Sequence, residues 1–105
     1  MDGTDEILTK LNDKHGKVAH ILIEDRLYVF KKPKAAQYKR MAKEIERDAL
    51  TAAHNLLLGT MVYPEDGRPA AMNWLADEYP AALPQVANKL ADMAGASIQV
   101  EVEGN

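Results

Sequence analysis

Between Val18 and Lys32 the chain carries two runs of strand character, VAHILIE and LYVFKK, with only Asp25-Arg26 clearly between them. Two such runs this close in sequence can pair only as an antiparallel hairpin, because a parallel pair needs a crossover of about a dozen residues or more. The turn is unusual in having no glycine to supply positive φ. In the first run Ala19, Ile21 and Ile23 share one face and Val18, His20 and Leu22 the other. Both faces are largely apolar, so the hairpin requires a covering layer. Tyr28 and Phe30 point the same way in the second run, which is expected of a core face.

The rest of the chain supplies that layer as helices. Residues 4–14 read as a short first helix, with Thr4 as a cap, Asp5 and Glu6 at its positive end, and Ile7, Leu8 and Leu11 as its apolar stripe. Pro33 closes the second strand and suits a helix start. From Lys34 to about Met61, Tyr38, Met41, Ile45, Ala49, Ala52 and Leu56 recur at spacings of three and four, which predicts one long helix with a bend near Arg47–Asp48. Val62-Tyr63-Pro64 ends it, and PEDGRP reads as a loop. Helices are predicted over 69–78 and 81–94, separated by Tyr79-Pro80, with Gly95 as the final stop.

These elements predict an α+β fold in a single domain, residues 1–105, built as a small hairpin against three to four helices. A length of 105 residues suits one domain, and 47% hydrophobic with 28% charged residues is a globular composition. The predicted core draws on Ile21, Ile23, Tyr28, Phe30, Tyr38, Met41, Ile45, Leu56, Trp74, Leu83, Val86 and Leu90. Trp74 reads in two ways, as the anchor between the last two helices or as an exposed binding anchor. The amino-terminal residues have no basic start and no apolar run, so no secretory leader is expected, and no stretch approaches the roughly 20 apolar residues of a membrane span.

The tail, residues 97–105, alternates: Ile98, Val100 and Val102 on one side, Ser97, Gln99, Glu101 and Glu103 on the other. It reads as a third strand completing the hairpin's sheet, as an extended hook for a partner's sheet edge, or as a disordered end. Charge is polarised. Residues 1–30 carry −2, residues 31–61 carry +4 and residues 62–105 carry −5. The basic block is Lys31, Lys32, Lys34, Lys39, Arg40, Lys43 and Arg47, with Glu44, Glu46 and Asp48 interleaved. It reads as a solvated helix face or as a docking patch for an acidic partner, including the acidic half of another copy. A basic helix beside Tyr28, Phe30 and Tyr38 also fits a small DNA-binding regulator using residues 31–47, against which stand those three acids and the net charge of −3.

The residues offer little to catalysis. There is no cysteine, so thiolate zinc sites and cysteine chemistry are excluded. His15, His20 and His54 show no metal-ligand spacing, and Ser97, the only serine, sits on the tail far in sequence from any histidine. Glu24-Asp25 and Glu65-Asp66 lie in turn and loop sequence, and the scattered glycines form no phosphate cradle. No enzyme activity, metal or cofactor is expected.

Several short strings in order carry a resemblance. Tyr28-Val29-Phe30-Lys31-Lys32-Pro33 precedes Ala36-Gln37-Tyr38-Lys39-Arg40. Then follow Val62-Tyr63-Pro64, Glu78-Tyr79-Pro80, Val86-Ala87-Asn88, Ala94-Gly95 and the alternating tail. In this order the chain from Leu27 to Val102 resembles the tail assembly chaperones of long-tailed bacteriophages, in their short form without the frameshifted extension. Lys34, where that pattern has a small hydroxyl residue, and the acidic ending depart from it. The resemblance implies a non-enzymatic protein of the host cytoplasm that binds the tape-measure protein, recruits tail-tube subunits and is absent from the mature virion. Client contact then falls to Ile98, Val100, Val102 and Trp74. A small structural protein of the neck or tail shares these features and is the alternative.

Overall fold

The computed structural model describes residues 3–104; Asn105, the last residue of the expected tail strand, lies outside them. Among the described residues there are five α-helices and one three-stranded antiparallel sheet, an α+β fold. In chain order they are α1 (Gly3–His15), β1 (Val18–Ile23), β2 (Arg26–Lys31), α2 (Ala35–Glu44), α3 (Ala49–Thr60), β3 (Met61–Tyr63), α4 (Arg68–Glu78) and α5 (Ala82–Ala91), followed by a wide turn over Asp92–Ala96. None of these helices is long and apolar enough to cross a membrane.

The hairpin forms as expected, but its turn is Glu24-Asp25 rather than Asp25-Arg26. Glu24 has φ 47° and Asp25 φ 66°, so both central residues take the left-handed conformation that a two-residue hairpin needs. Asp tolerates that region; Glu does so less readily. The Glu24 carboxylate lies near the Tyr79 hydroxyl and helps raise its pKa above the ordinary value. Ile23 faces Arg26, Ile21 faces Tyr28 and Ala19 faces Phe30, which places these six residues on the inner face. Tyr28 and Phe30 are buried there, and Tyr28 donates its hydroxyl proton to Ala71 O of α4 at 2.9 Å. α1 packs on the hairpin from the other side, where Leu11 and Val29 are buried. The second layer demanded by two apolar faces is therefore α1.

The predicted single helix from Lys34 to Met61 is two helices. Asp48 is the reason. Its Oδ1 accepts from the N–H groups of Leu50 and Thr51, each at 3.1 Å, and its Oδ2 accepts from Thr51 Oγ1 at 2.9 Å. Asp48 is in an extended conformation and caps α3, so the chain reverses between Ile45 and Asp48. α2 then packs along α3, where Gln37 Nε2 donates to Gly59 O at 3.0 Å. A Cβ at Gly59 would stand 3.2 Å from that same nitrogen, so glycine permits the approach. The reversal also corrects two core assignments. Tyr38 and Ile45 lie on the exposed side of α2, Ile45 at 49% exposure, while Met41 alone of the three is buried.

α3 is the centre of the core. It packs against α2, α4, α5 and β2 and contributes Ala52, Ala53, Leu56 and Leu57. Thr60, also buried, satisfies its hydroxyl on Leu56 O at 2.8 Å. Met72 and Leu75 of α4, Leu83, Val86, Ala87 and Leu90 of α5, and Met61 complete the cluster. Ile21, Ile23 and Trp74 pack on it half-buried.

The third strand is not the tail. Residues 61–63, expected as the end of a helix, form β3 and pair with β2, Phe30 opposite Met61 and Val29 opposite Tyr63, with a register shift between them. The chain passes from α3 into β3 with no intervening residue, and Arg68 Nη1 donates to Met61 O at 3.2 Å behind it. The tail, residues 97–104, is exposed and has no regular pairing.

Two outcomes test this core and its reversal. Leu57→Ala removes a fully buried side chain and should cost about 2–5 kcal/mol, whereas Ile45→Asp should cost less than about 1 kcal/mol. Thermal denaturation distinguishes them, and equal losses would refute the two-helix arrangement. The N–H and hydroxyl of Thr51 hold the Asp48 carboxyl below its ordinary range. A lowered folded-state pKa stabilises above the unfolded value and is lost as pH falls through the folded one. Asp48→Asn should therefore be less stable than the parent at neutral pH, with the gap closing in acid below the ordinary carboxylate range, read by denaturation at stepped pH.

Candidate functional site

The feature with most capacity for recognition is the tail. It leaves the body at the wide turn after α5. Gly95 takes φ 111°, a conformation a side chain would strain, and Ile98 N donates to Gly95 O at 3.1 Å. Beyond that bond nothing covers the apolar row: Ile98 is 71% exposed, Val100 82% and Val102 93%. Burying each such side chain is worth about 1.5–3 kcal/mol, so the folded monomer forgoes several kcal/mol that a partner can recover.

A second cluster lies at the other end of the hairpin. The Arg26 guanidinium sits 4.0 Å from the centre of the Trp74 ring, and Tyr79 approaches Trp74 at 5.8 Å between ring centres. Hydrogen bonding to Glu24, with burial and nearby carboxylates behind it, pushes the Tyr79 hydroxyl above its ordinary pKa. Sequence reasoning named Trp74 but not Arg26 or Tyr79. The tryptophan is half-buried, its inner side on the core and one ring face under arginine. Alternation on β2 placed Arg26 on the same face as Tyr28 and was the available signal.

The basic block is split by the fold. Lys31 ends β2, Lys32 follows it, and Lys34 precedes α2, its N–H donating to Gln37 Oε1 at 2.8 Å. Lys39, Arg40 and Lys43 stand on the solvent side of α2, and Arg47 lies in the reversal before α3. Of the interleaved acids, Glu44 accepts from Asn55 Nδ2 at 2.8 Å and Asp48 is the α3 cap, so both serve the fold.

The histidines are not brought together. His15 ends α1, His20 is exposed on the outer face of β1, and His54 lies half-buried on α3 beside Leu50, Thr51, Pro80 and Leu83. Among the described residues no group of three or more His, Asp or Glu is arranged to hold a metal ion. Tyr28 is the buried titratable group of the core, and desolvation raises its pKa, which favours the neutral donor that Ala71 O receives.

A groove of about 330 Å³ runs between β1 and α5, lined by Ala19, Ile21 and Ile23 on the strand side and Ala82, Val86 and Lys89 on the helix side. It lies along the outer edge of β1, which no strand pairs among the described residues. No local sequence pattern signals it.

With this sheet, helix order and tail in view, the chain belongs to the family described as DUF6848, a domain of unknown function, whose profile matches residues 11–103. The match runs through the tail as far as Glu103. The chain is also similar to the solved structure of the uncharacterised protein rbstp2171 from Bacillus stearothermophilus, with 26% identity, a TM-score of 0.69, and coverage of 90% of this chain and 98% of that one. No curated protein matches it.

The Trp74 cluster yields a direct test, since this is the only tryptophan. Arg26→Ala should shift the Trp74 emission to longer wavelength and cost about 0.5–1 kcal/mol. An unchanged spectrum would mean that the guanidinium does not cover the ring.

Proposed function

We propose that this protein is a non-enzymatic binding protein of the tail assembly chaperone type, which holds a phage tape-measure protein and recruits tail-tube subunits in the host cytoplasm before the virion is complete. The observation that carries the reading is the row Ile98, Val100 and Val102, held out in water at the end of a well-packed domain. A chain that leaves three β-branched side chains exposed at strand spacing is suited to add a strand to a client's sheet edge or lie along its apolar surface. Weak single contacts suit a holder that must let go, and many copies on one long client supply the avidity. The exposed face of Lys39, Arg40 and Lys43 adds steering toward an acidic client.

Co-expression with a tape-measure protein tests this. The full chain should co-purify with the client, and a chain lacking residues 97–105 should lose it. Because β3 already fills the third strand position, that truncation should leave the melting temperature within about 2 °C of the parent. Retention of the client by the truncated chain would refute the hook. Recovery of the protein in purified virions would favour the structural alternative, and a salt-dependent shift of DNA would favour the regulator.

A further inference from the structure

We propose that the open edge of β1 and the groove beside it receive the tail of a second copy of this chain, which adds as an antiparallel fourth strand. The inference goes beyond client binding and stands without it.

The backbone of β1 is prepared for this. Ile23 and Arg26 close a two-residue turn, so they exchange hydrogen bonds, as do Ile21 with Tyr28 and Ala19 with Phe30. The N–H and C=O groups of Val18, His20 and Leu22 therefore point away from β2, along an edge with no partner among the described residues. An exposed edge of this kind is a template for another extended segment.

The tail matches it in spacing and in charge. Ile98, Val100 and Val102 repeat at the interval of Ile23, Ile21 and Ala19, so one register seats all three apolar tail residues on the groove side. The small side chains of Ala19 and Ala82 leave the groove its room. Direction follows from the charges. Laid parallel, the tail would bring Glu103 toward Glu24-Asp25 of the turn. Laid antiparallel, it brings Glu103 to the end of β1 where Lys17 precedes Val18 and Lys31 faces it, and sets Glu101 opposite His20 and Gln99 opposite Leu22. Only the second arrangement pairs unlike charges.

The occupant is a second copy, because within one chain the tail beyond Gly95 stands exposed and does not cover this edge, while its charges complement it. Reciprocal exchange closes a dimer, and one-way exchange strings copies head to tail. A tail seated in a neighbour is unavailable to a client, so the two contacts compete.

Analytical ultracentrifugation of the purified full chain, with no client present, tests the inference. The weight-average mass should rise with concentration toward about 1 mM, and Val100→Asp, which alters a side chain exposed in the monomer, should abolish the rise. His20→Glu should weaken association about fivefold by setting like charges opposite, and adding Glu101→Lys should restore it. A monomer at every concentration, whether its tail is free or folded onto its own groove, overturns the proposal. So does association that survives Val100→Asp, or a charge exchange that fails to restore it. None of these outcomes depends on whether the tape-measure protein is bound.

Discussion

Burial of α3 among α2, α4, α5 and the sheet is the packing around which most of the core is built. α3 is apolar on most of its circumference, and a helix of that kind must be surrounded. The sheet covers one side, α2 another, and α4 and α5 the rest. Ala52 and Ala53 keep its surface low enough for those neighbours to approach, while Leu56 and Leu57 fill the space toward the sheet and helices. The Asp48 cap sets where this helix begins, and the direct passage into β3 sets where it ends.

That passage has consequences at the surface. Because β3 leaves α3 at Met61 and pairs with β2, the central strand has both edges filled, by β1 and by β3. The sheet's open backbone on the hairpin side is then the outer edge of β1. The tail, which carries the chain's strongest strand pattern, has no place beside β2 and extends into solvent. The open edge and the exposed tail are the two features on which the proposed client and self contacts rest.

The remaining surface is divided by charge. Lys39, Arg40 and Lys43 face solvent on α2, remote in sequence from the acidic tail, while Glu44 and Asp48 are engaged in local hydrogen bonds. At the hairpin turn, Arg26 over the Trp74 ring links a two-residue loop with left-handed Glu24 and Asp25 to α4.

The amino-acid sequence by itself determined the hairpin, the amphipathic helices and most of the buried residues, because periods of two and of three to four are written into neighbouring positions. Tyr28, Phe30, Met41, Leu56, Leu83, Val86 and Leu90 were legible in that way. The division at Asp48 was signalled by a capping residue before an apolar run, but Tyr38, Ile45 and Ala49 continued the helical spacing across it and masked the break. The tail's residues and their alternation were legible too; whether they close the sheet was not. Tertiary structure decided that, because only one strand can occupy the second edge of β2, and a three-residue segment too short to show a period takes it by following directly from the buried helix. The groove between β1 and α5 belongs to the same class. It joins side chains from distant parts of the chain, and its shape comes from how α5 lies beside the strand edge, a relation that no local pattern encodes.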